Sequence, residues 1–152
     1  MWPRFLSFSA VFRKDINLAH NTHLRFFHLK IIYYDGKPPT WVITLLSQIT
    51  SPYLVEMCLE FPFAFDDPSH LNTIDWTPLV DLFNQQQWSN LQELKVLGNT
   101  YRASERSAAV AFVKSQFSVL ESRGILRVVF PGSSQDNYSR LLIPWHSHAF
   151  FI

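Results

Sequence analysis

A short pattern, Leu-x-x-apolar-x-apolar, recurs along the chain. It runs through Leu24, Phe27 and Leu29, with Ile31 continuing it. It returns at Leu54, Met57 and Leu59, continued by Phe61, and again at Leu91, Leu94 and Val96. A weaker fourth copy lies in Gly124-Ile125-Leu126-Arg127-Val128-Val129-Phe130. The first three begin 30 and 37 residues apart, and 32 residues separate Leu94 from Leu126. Periods of this size mark architectures built by stacking one supersecondary unit on the next. Within each copy the later apolar positions alternate, as in a strand with one buried face. The intervening Arg25, His28, Lys30, Val55, Glu56, Cys58, Glu60, Gln92, Glu93 and Lys95 are mostly polar and are expected on the opposite face.

The segments between the copies read as helices. From Thr40 to Ile49, Trp41, Val42, Leu45, Leu46 and Ile49 form an apolar stripe, bounded by Pro38-Pro39 and Ser51-Pro52. A shorter helix is expected from about Asp75 to Phe83, with Leu79, Leu82 and Phe83 inward and Pro78 accommodated in its first turn. A third is expected from Ser104, as N-cap, to near Phe117, burying Ala109, Phe112, Val113 and Phe117 and closed by Arg123-Gly124.

Strand, helix and strand in repetition predict a parallel sheet, because a parallel pair needs a crossover of a dozen or more residues. Residues 24–31, 54–61, 91–97 and 125–130 are expected as adjacent parallel strands. The fold class is therefore α/β, a short irregular leucine-rich-repeat-like solenoid with helices on its outer side. Residues 17–131 form that domain. Residues 1–16 read as an incomplete N-terminal segment, and residues 132–152 as a linker with a mobile apolar tail that begins in the turn-forming run after Pro131.

Composition sharpens this picture. Of 152 residues, 47% are hydrophobic and only 16% charged, with 14 Phe, 5 Trp and 5 Tyr. Such a chain either buries an aromatic-rich core or keeps one face under further protein. The net charge of +1 provides no field for nucleic acid or anionic membranes. Cys58 is the single cysteine, which excludes a disulfide framework and fits a reducing compartment. Neither a signal peptide nor an apolar run long enough to span a bilayer is read, so a cytoplasmic or nuclear location is expected. The acceptor sequence Asn137-Tyr138-Ser139 is then fortuitous.

Candidate chemistry is sparse. His146-x-His148 lacks further ligands for a tetrahedral metal site, and Asp66-Asp67 with Asp75 lack the ligand spacing of a calcium loop. Cys58 has no base beside it in sequence, the 4 glycines form no phosphate cradle, and no nucleophile elbow is present. No catalytic residue, cofactor or metal is expected. The remaining candidate is a protein-binding face made of Arg25, His28, Lys30, Glu56, Cys58, Glu60, Gln92, Glu93, Lys95 and Arg127. The competing reading is a charged strand face that is simply solvated.

Several runs carry a family likeness. They are Asn21-Thr22-His23-Leu24-Arg25, then Trp41 with Leu45-Leu46-Ser47-Gln48-Ile49, and Ile74-Asp75-Trp76 with Leu79 and Leu82-Phe83. Trp88-Ser89-Asn90-Leu91-Gln92-Glu93-Leu94 and Leu120-Glu121-Ser122-Arg123-Gly124-Ile125-Leu126 complete the set. Over residues 17–130 the chain resembles the C-terminal leucine-rich-repeat-like region of F-box proteins of mushroom-lineage fungi. The resemblance implies a scaffold that holds an unknown protein substrate for ubiquitin transfer, with a ligase adaptor engaged only if an F-box lies upstream. No F-box segment is read before residue 17. A gene fragment without activity of its own is the alternative, and an open edge on the first strand would then lead to self-association through the N-terminal end.

Overall fold

The computed structural model describes residues 4–9, 17–31, 40–61, 68–98 and 103–130. Five strands form one sheet in chain order: β1 (Arg4–Ser9), β2 (Leu24–Lys30), β3 (Glu56–Phe61), β4 (Glu93–Gly98) and β5 (Leu126–Val129). Every neighbouring pair is parallel. The crossovers carry helices α1 (Thr40–Ser47), α2 (Thr77–Phe83), α3 (Ala103–Gln116) and α4 (Ser118–Ser122), with 3-10 turns at Pro68–Thr73 and Gln86–Trp88. The chain is thus an α/β protein with a parallel sheet.

The repeated apolar pattern lines up across the strands. Phe27, Met57, Leu94 and Leu126 are register partners, and Leu29, Leu59, Val96 and Val128 form the next row. These rows meet the helices in a single core that takes in Val42, Leu45 and Leu46 of α1, Leu79, Leu82 and Phe83 of α2, and Ala109 and Val113 of α3. Aromatic side chains fill the interval between sheet and helices. Trp76 meets Phe61 and Phe117 edge-on at 5.6 and 5.7 Å, and Phe83 packs on Trp88 at 5.2 Å. Most aromatic side chains among the described residues are buried in this way, and the large apolar ones left exposed there are Tyr53 and Val119.

A third row shows how an irregular repeat is accommodated. Phe61 pairs with Gly98, and a Cβ built on Gly98 would stand 1.9 Å from Cε1 of Phe130. The glycine leaves the space that the Phe130 ring fills, and that ring is itself buried. Gly98→Ala should therefore destabilise the fold by about 1–3 kcal/mol, the usual cost of overpacking a filled core. Chemical denaturation of the two proteins checks this, and equal midpoints would mean that the ring moves aside freely.

Several expectations need correcting. The first repeat strand is expected to keep an open edge, yet residues 4–9 form β1 and pair with β2 on that side. Helix α2 begins at Thr77 and not Asp75, whose carboxylate instead accepts from the Thr77 amide at 3.1 Å. Helix α3 starts at Ala103, which places Ser104 inside the first turn instead of at the cap. Phe112 is half-buried against the core instead of fully buried, and the chain turns at Phe117 into the separate helix α4. That helix closes as expected at Gly124, whose φ of 71° suits the left-handed position. Its amide reaches the Glu121 carbonyl at 2.9 Å, and the Ile125 amide reaches that of Leu120 at 3.2 Å. Asp66, Asp67, Asn137, His146, His148 and the tail at 132–152 lie outside the described residues.

Candidate protein-recognition face

Strand alternation sends a second set of side chains away from the helices. In β2 the set is shifted by an irregularity. Arg4 pairs with Leu24 while Phe5 pairs with Phe26, so Arg25 is the extra residue of a bulge. Arg25 is exposed there, and Phe26, His28 and Lys30 take the outward positions that follow. Three rows result. Phe26, Glu56 and Glu93 form the first, His28, Cys58, Lys95 and Arg127 the second, and Lys30, Glu60, Leu97 and Val129 the third.

The middle of this face is not a solvated charge array. His28, Cys58, Glu60 and Lys95 are buried, at 5%, 1%, 8% and 8% exposure. Buried charges must be paired, and Glu60 is. Its Oε2 accepts from His28 Nε2 at 3.1 Å, and its Oε1 accepts from Lys30 Nζ at 2.7 Å. Burial alone would raise the Glu60 pKa, but the His28 and Lys30 hydrogen bonds and the charges behind them outweigh it and hold the group below the ordinary carboxylate value. Glu93 lies between two cations, 3.7 Å from Lys95 Nζ and 3.6 Å from Arg127 Nη1. Glu56, next to Glu93 in register, is pushed up by burial and by the Glu93 charge, with Lys95 opposing.

Cys58 stands beside His28 in register, which raises the question of a thiolate–imidazole pair. Burial drives the thiol the other way, from 9.0 up to about 12, against a smaller downward pull from Lys95. A thiol held protonated at neutral pH is a poor nucleophile. It packs with Leu97, Phe26 and Val129 in a small apolar cluster on this face.

Of the residues expected on the face, Arg25, Gln92 and Arg127 are exposed, Lys30, Glu56 and Glu93 are half-buried, and the remaining four are buried. Phe26, Leu97 and Val129 belong to the face as well but escaped the sequence reading. Counting by two from His28, Lys95 and Arg127 would have found them. Beneath the face, at the amino-terminal ends of the strands, the turns are tied to one another. Ser51 Oγ lies 3.0 and 2.7 Å from the Thr22 and Leu24 carbonyls, and Asn90 Nδ2 donates to the Pro52 carbonyl at 3.0 Å. Arg123 Nη2 donates to the Trp88 and Ser89 carbonyls at 3.3 and 3.4 Å. Each turn before a strand thus grips the turn of an earlier strand.

Among the described residues, no group of three or more His, Cys, Asp or Glu could hold a metal ion, and no helix is long and apolar enough to cross a membrane. Comparison with protein-family models, with curated proteins and with solved structures finds no match to this chain.

Proposed function

We propose that the chain is a non-catalytic protein-recognition scaffold, a short leucine-rich-repeat-like solenoid that presents the exposed residues of the sheet face opposite the described helices to a partner. By its resemblance, that partner is a protein substrate, and the chain is the substrate-binding part of an F-box-type ubiquitin-ligase subunit. A ligase adaptor then enters only through an F-box joined upstream. The observation that carries the reading is the arrangement of the sheet. Five parallel strands follow chain order, the described helices share one core with one side of it, and the other side bears residues of both charges. Stacked units of this kind generate one continuous surface, on which neighbouring repeats each add a few side chains.

Charge reversal on the two sides tests the proposal. Immobilised chain should retain specific proteins from a cell extract, and Arg25→Glu with Arg127→Glu should abolish that retention. The exposed α2 residue Asp81, reversed to Lys, should leave it intact. Retention that survives the face reversals but is lost on reversing Asp81 would place recognition on the helices and defeat the reading.

A further inference from the structure

We propose that the rim at the amino-terminal ends of the strands, built on Tyr53, Arg25 and Arg123, docks an acidic peptide segment of a partner protein. This rests on the recognition reading above and names the chemistry of what is recognised. Tyr53 is 55% exposed, an apolar ring left in water by a chain that buries most of its other described aromatics. It is nevertheless held in place. Its ring stacks on His23 with centroids 5.5 Å apart and planes 13° from parallel, and its amide lies 3.3 Å from Ser51 Oγ.

Two exposed arginines lie on the neighbouring strand ends and turns. The Val55 amide bonds to the Arg25 carbonyl and the Gln92 amide to that of Val55, which sets Arg25, Val55 and Gln92 side by side across three strands. Arg25 is exposed, with its guanidinium 5.9 Å from the Phe26 ring centroid. Arg123 is exposed as well and is fixed by its bonds to the turn before β4. The nearest anions on these strands, Glu56 and Glu93, are half-buried, and Glu93 is already engaged by Lys95 and Arg127. Among the described residues of these turns and strand ends, the exposed charged side chains are therefore Arg25 and Arg123. Guanidinium groups match carboxylates in planar, forked geometry, and Tyr and Arg are the residues most often decisive in protein interfaces. Because the turns are tied together beforehand, little ordering remains to be done on binding.

The test uses the full chain and fluorescein-labelled short peptides. One is composed of aspartate and glutamate around a central leucine, and its counterpart carries lysine in place of every acid. Fluorescence anisotropy should detect binding of the acidic peptide that weakens as salt is added. Tyr53→Ala and Arg25→Glu should each weaken it roughly tenfold or more with the thermal midpoint unchanged, since both side chains are exposed. Equal binding of the lysine peptide, binding insensitive to both variants, or no binding of the acidic peptide would overturn the proposal. If retained proteins depend on the face charges yet are not displaced by the acidic peptide, this inference falls and the recognition reading stands.

Discussion

Truncating Leu94 to alanine is expected to cost about 2–5 kcal/mol of folding stability, a large share of what a domain of this size possesses. Leu94 has no exposed surface and sits in the central strand run, with Met57 on one side and Leu126 on the other in register. Removing its side chain deletes apolar contacts and leaves a cavity that two flanking strands prevent from collapsing. Denaturant titration of both proteins reads the effect as a shift in midpoint at constant slope. A midpoint unchanged by the substitution would mean that the inward set lies on the wrong side of the sheet.

The second large effect is a loss of stability in alkali, and it comes from Cys58. Burial raises its folded-state pKa from 9.0 to about 12, so above pH 9 the unfolded chain gives up a proton that the folded chain keeps. The contribution is fully present below pH 9 and declines as pH rises toward 12. The slope is about 1.4 kcal/mol per pH unit, or roughly 4 kcal/mol across the window. Other groups also titrate there, so the diagnostic quantity is the difference between the wild type and Cys58→Ala. That difference should move in favour of the variant with each step above pH 9. A pH-independent difference would show that the thiol meets water in the folded state.

Much of the architecture was legible because the relevant information is local. Leu24, Leu54 and Leu91 open their units at equivalent places, and each is buried in the core the rows share. The crossovers are long enough for helices, which leaves parallel pairing as the economical solution. Gly124 could be placed by its chemistry alone. What escaped depends on contacts between units. Nothing in Arg4–Ser9 repeats the Leu-x-x lead of the other strands, so β1 has no signature beyond its pairing with β2. The bulge at Arg25 is a property of the β1–β2 ladder and cannot be read from β2 by itself. Gly98 looks like a strand breaker in sequence and becomes a packing requirement only once Phe130 is seen above it.

The candidate face was legible as a list and not as an environment. Alternation put His28, Glu60 and Lys95 on the correct side, but their burial and the bridging role of Glu60 come from register. Glu60 reaches both His28 and Lys30 because β2 and β3 hold them one alternation apart. Likewise, the stack of Tyr53 on His23 joins two turns 30 residues apart in sequence, the spacing of the first two units.

The most direct test of the recognition account is photo-cross-linking from each side of the sheet. A photoreactive residue at Arg127, exposed on the face opposite the described helices, is compared with one at Asp81, exposed on α2. On irradiation in cell extract, the account predicts a discrete protein adduct from position 127 and none from position 81. An adduct formed only from position 81 would contradict it.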